Sequence, residues 1–97
     1  MSKSKEIEVL LQEMYTNPGI GWGMFHLVVL EEGMDFLLAS KLVEWLEKLP
    51  DDHKQFIISN PGLTRGLSLK VNAVLSLVLK TGKLSKGEKL SVTKKFL

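Results

Sequence analysis

Proline and glycine cut this chain at Asn17-Pro18-Gly19, at Gly33 after Glu31-Glu32, at Pro50, at Ser59-Asn60-Pro61-Gly62 and at Gly82. Between the cuts, apolar residues recur every three or four positions, the period of one helical face. Proline cannot continue a helix, and glycine frees the backbone to turn. Cuts this close together leave room only for short helices joined by short connections. The expected fold is therefore all-α: a single-domain bundle of about five antiparallel helices.

The segments differ in clarity. Ile7, Leu10, Leu11, Met14 and Tyr15 share one face of a first helix, with Ser4 as the expected N-cap. The glycines at 19, 21 and 23 read as an interhelical turn, followed by an apolar run from Met24 to Leu30. That run suits a buried strand or a buried helix; the absence of a partner strand and the Glu31-Glu32-Gly33 exit favour the helix. Asp35 is placed to cap a third helix, with Leu38, Leu42, Trp45 and Leu49 facing the core. Asp52 and Gln55 have capping-box spacing for a short fourth helix. Ser68 caps a fifth, whose core row is Val71, Val74, Leu75 and Val78, and Gly82 ends it. Residues 83–97 fit either a final helix capped by Ser85, with Leu90, Lys94 and Leu97 on one side, or a short hairpin turning at Lys86-Gly87-Glu88. The organisation expected is a helical domain over 1–82 and a basic C-terminal extension over 83–97.

Charge is divided along the chain. The net formal charge is −4 over residues 1–50 and +6 over 51–97, giving +2 in all. From Lys80 onward the chain holds six lysines, at 80, 83, 86, 89, 94 and 95, against one acid, Glu88. Cysteine is absent, which excludes a disulfide framework, a thiolate metal site and a cysteine nucleophile. No apolar run approaches the roughly 20 residues of a membrane span, and none resembles a secretory signal before Glu6 and Glu8. A cytoplasmic protein, with no membrane partner, is the expectation.

Nothing in the sequence has the spacing of a catalytic site. The glycines of 19–23 lack the Lys-Ser or Lys-Thr pair of a phosphate loop. His26 lies in an apolar run and reads as a core or interface residue with one hydrogen bond. His53, between acids, reads as solvated. The two share no metal-ligand spacing, and the carboxylates at 31, 32, 35, 44 and 47 look like exposed helix ends and faces. No metal, no cofactor and no enzymatic activity are expected.

Interaction is favoured instead. Helices two and five carry more apolar residues than a monomeric bundle this small readily covers, so weak self-association is expected. Trp22, set between glycines, reads as an accessible anchor, and Glu31, Glu32, Glu44 and Glu47 as an acidic surface beside it. The expected function is that of a protein-binding module, an adaptor or an inhibitor covering a partner's surface, of the type common among phage and mobile-element accessory proteins. The alternative is a nucleic-acid-associated protein using Lys80, Lys83, Lys86, Lys89, Lys94 and Lys95 on phosphates. Those lysines would drift around a helix, and without arginine the tail lacks a bidentate base reader. The plainer reading of the lysines is a soluble, charged chain end, and a third is docking on the acidic face of 31–47, in the same chain or a neighbour. Over 52–80 a helix–break–helix arrangement places Arg65 and Lys70 near the start of its second helix, with few other polar side chains for a groove.

Overall fold

The computed structural model describes residues 3–97. Six α-helices follow one another: α1 (Lys3–Thr16), α2 (Pro18–Glu32), α3 (Phe36–Lys48), α4 (Asp51–Ser59), α5 (Leu69–Thr81) and α6 (Lys86–Lys94), with one 3-10 turn at Pro61–Leu63. The described residues contain no strand, so the all-helical expectation stands and the hairpin alternative for 83–97 does not.

A single residue, Asn17, separates α1 from α2, and the glycine-rich segment 19–23 lies inside α2 rather than forming a turn. Pro18 starts the helix, where a missing N–H costs nothing and a fixed φ is already helical. The break therefore changes the direction of the chain without opening a loop. Gly21 explains why glycine is needed here: a Cβ on it would come within 2.5 Å of the Glu13 carbonyl carbon and closer still to the backbone of Met14. The two helix backbones touch at this corner, and Met14, Trp22 and Phe25 fill the space beneath it, all fully buried.

Helix α3 is the hub. It packs against α1, α5 and α6, and buries Leu38, Ala39, Leu42, Val43 and Leu46. Its start is fixed locally, as Asp35 accepts a hydrogen bond from the Leu38 N–H at 2.8 Å. Trp45 departs from the expected core row: it packs against the core but stays only partly buried. Ser68 caps α5 by accepting from the Val71 N–H at 3.2 Å, and Gly82 ends it with a φ of +86°, a region that L side chains rarely adopt.

Three other expectations change. Ser4 lies within α1 and does not cap it. Helix α4 starts after Pro50, which puts Asp51 and Asp52 in its first turn, where the helix dipole favours acids; Asp52 is not the N-cap. Helix α6 does carry the capping box of Ser85 and Glu88, but it turns Val92, Thr93 and Phe96 inward and leaves Leu90 and Leu97 exposed. Leu84, Val92 and Phe96 belong to the same buried cluster as the first five helices. The Cα radius of gyration is 12.4 Å, close to the roughly 13 Å of a compact chain of this length, so residues 83–97 pack into the globule.

Gly21→Ala should lower stability by about 2–3 kcal/mol, because backbone opposes the new methyl and cannot move like a side chain. Gly87→Ala, in α6 with open space around it, should leave stability unchanged or raise it by up to about 0.5 kcal/mol. Urea midpoints of the two variants against the parent test this opposition of sign.

Candidate interaction surface

Helix α2 is apolar all round and can bury only one side. Gly21, Trp22 and Phe25 face the core, and Val28 and Val29 pack at its edge. At 100° per residue the opposite side carries Ile20, Gly23, Met24, Leu27 and Leu30. Ile20 is 59% exposed, Met24 40%, Leu27 57% and Leu30 81%. These positions follow one another at three- and four-residue steps along one outward stripe, interrupted by no charge until Glu31. Gly23 leaves the middle of it without a side chain, and a Cβ there would meet only open space.

The helix is also electrostatically unfinished. Asn17 gives it no side-chain cap, and its first turn has no acidic residue. Its last turn has no basic residue and ends in Glu31 and Glu32, both exposed. Acids at that end oppose the helix's own dipole.

The residues singled out from sequence are scattered by the fold. Trp22 is 1% exposed, which corrects its reading as an accessible anchor: the glycines around it serve a helix corner and not a loop. It stacks edge-on against Phe25 at 5.6 Å between ring centroids and lies 6.4 Å from Trp45. Glu31, Glu32 and Glu44 are exposed as expected. Glu47 is not available to a partner. Its side chain is only 6% exposed and pairs with Lys89 at 2.9 Å, while its other oxygen accepts the Leu84 N–H at 2.7 Å. Burial raises the carboxyl's pKa, but the bonds from Lys89 and Leu84 outweigh it and hold the group below its ordinary range. This pair joins an acidic residue of α3 to a lysine of α6 within one chain.

Lys89 is thereby taken from the basic set. Lys80, Lys83, Lys86, Lys94 and Lys95 are exposed. Lys70 sits over the Phe96 ring at 4.8 Å, a cation–π contact that ties α5 to the end of the chain.

The histidines fare differently. His26 Nε2 lies 2.6 Å from the Leu63 carbonyl oxygen, part-buried, so it donates the single bond expected of it. His53 is only partly exposed. Its ring packs 4.7 Å from Tyr15, 5.8 Å from Phe56 and 6.4 Å from Trp45. Its Nε2, like Trp22 Nε1, is buried with no hydrogen-bond partner among the described residues. Desolvation lowers its pKa, against a smaller opposing pull from Asp52. Among the described residues, no three His, Asp or Glu side chains converge as a metal site, and no helix is long and apolar enough to cross a membrane.

Sequence reasoning missed the stripe itself. With 19–23 assigned to a turn, Ile20 lay outside the helix and the spacing of 20, 24, 27 and 30 could not be seen. Pro18 as a first helical residue was the available signal. Comparison of the chain with protein-family models, with curated proteins and with solved structures finds no match.

Two side chains can be tested directly. Glu47→Ala should cost about 2 kcal/mol in chemical denaturation, because it leaves the Leu84 N–H without its acceptor and Lys89 without its partner. His53 gives a pH dependence whose sign follows from its lowered pKa. Unfolded chains take up the proton near 6.5 and the folded state only at lower pH. Stability should be full above pH 6.5 and fall as the pH drops below it. His53→Phe should flatten this slope in thermal melts between pH 7.5 and 5.5.

Proposed function

We propose that this chain is a non-enzymatic protein-binding module whose contact surface is the outward face of α2. The observation that supports the reading is the exposed stripe of Ile20, Met24, Leu27 and Leu30. An exposed apolar helix face is costly in water and prone to nonspecific association, so a face of this kind marks a binding site for another apolar surface. The acidic end at Glu31 and Glu32 adds polarity at the rim, where it orients a partner more than it tightens binding. The role that fits is an adaptor or an inhibitor that works by covering a partner's surface.

The nucleic-acid reading draws less support. Of the six lysines it needs, Lys89 is committed to Glu47, and the exposed five are spread from the end of α5 to the end of the chain.

A photo-crosslinking residue at Leu27, with a second variant carrying it at exposed Ser91 in α6, separates the two in cells that express the protein. Polypeptide adducts that survive nuclease should form from position 27 and not from 91. Adducts that form from 91 and vanish with nuclease would instead establish the nucleic-acid function. In vitro, the purified chain should bind duplex DNA only weakly at about 150 mM salt, where the Debye length is about 8 Å; a fluorescence-anisotropy titration measures this.

A further inference from the structure

We propose that the α2 face is covered by the same face of a second copy of this chain, as an antiparallel α2–α2 pair across a two-fold axis. The inference rests on the protein-binding reading above and names the occupant of that surface.

Three features of the helix point to itself. The first is charge. The N-terminal end of α2 has neither a side-chain cap nor an acid in its first turn, while its C-terminal end carries Glu31 and Glu32. Antiparallel pairing lays the acids of each copy beside the positive, uncapped end of the other, and it sets the two helix dipoles against each other. Parallel pairing would bring Glu31 and Glu32 together with their own counterparts.

The second feature is the register of the stripe. Centred between Gly23 and Leu27, the row is self-complementary when reversed, as an isologous contact requires. Ile20 comes opposite Leu30 of the second copy, and Gly23 opposite its Leu27, with Met24 flanking the centre. Gly23, with open space where its Cβ would be, lies where the second copy's Leu27 would pack. With no side chain at 23, the two helices can approach closely at the centre of the pair.

Area is the third. Four partly exposed side chains make a patch small against the roughly 800 Å² per partner of a standard stable interface. The pair is therefore concentration-dependent, with dissociation in the micromolar range or weaker.

The test uses the full chain, which has no cysteine of its own. Sedimentation equilibrium from 5 to 500 μM should show a 10.9 kDa species passing to its dimer, on the micromolar scale such small interfaces give. Leu27→Glu changes an exposed position and should keep the circular dichroism and melting of the dilute parent while shifting the dimer constant at least tenfold. Direction is read from disulfides: Ile20→Cys and Leu30→Cys chains, mixed and oxidised, should give the cross-linked heterodimer in preference to either homodimer, because facing positions alone reach bonding distance. A chain that stays monomeric at 500 μM overturns the proposal, as does an Leu27→Glu variant that dimerises like the parent. Homodimers forming from each single-cysteine chain faster than the mixed product overturn the antiparallel arrangement. The mass of the crosslink from position 27 separates this inference from the broader reading. An adduct with a different polypeptide from a monomeric chain removes the second copy and keeps the binding face; no polypeptide adduct of any kind removes both.

Discussion

The backbone contact between Gly21 and Met14 organises the molecule. Two helices separated by one residue can pack closely only if one of them presents no side chain at the crossing, and Gly21 is that position. Once the corner is closed, the orientation of α2 about its axis is set. Trp22 and Phe25 must point into the core with Met14, and helical periodicity then forces Ile20, Met24, Leu27 and Leu30 outward. The exposed stripe is thus a geometric result of the corner. An apolar helix whose inner face is held by aromatic packing has no way to hide its outer face within a chain this small.

Of three ion pairs among the described residues, two lie within the acidic half of the chain and one joins it to the basic half. Glu8 and Lys41 approach to 3.7 Å between α1 and α3, Lys3 pairs with Asp35, and Glu47 pairs with Lys89. The first two pairs lie at the solvent-accessible surface and contribute little. The third matters more, because a nearly buried carboxylate also satisfies the backbone N–H of Leu84 as the chain enters α6. It anchors the start of the basic segment to the central helix, where Leu84, Val92 and Phe96 complete the core. A lysine-rich segment that looks like a solvated extension in composition is one wall of the bundle.

The aromatic row from Phe25 through Trp22 and Trp45 to His53 follows the same principle. Its rings come from α2, α3 and α4, and Tyr15 of α1 closes its outer end on His53. Burial of two ring nitrogens without partners among the described residues is a cost that the packing of the rings must offset. It makes the His53 end of the row the place where protonation opposes the fold.

Local rules read from the sequence hold where neighbours in the chain decide the outcome. Asp35, Ser68 and Ser85 cap helices because the bonds they accept come from three residues onward. Gly82 ends α5 because only backbone freedom is needed there. The helical period of the apolar residues was enough for an all-α chain. Tertiary structure decided what periodicity leaves open. Whether Gly21 is a hinge or a contact, whether Trp22 faces water or the core, and whether Glu47 meets a partner or Lys89 all depend on residues distant in the chain. The face of α2 shows this most clearly. Its residues are apolar on every side, so no hydrophobic period distinguishes inside from outside, and only the close approach of α1 at Gly21 selects which side is left for a partner.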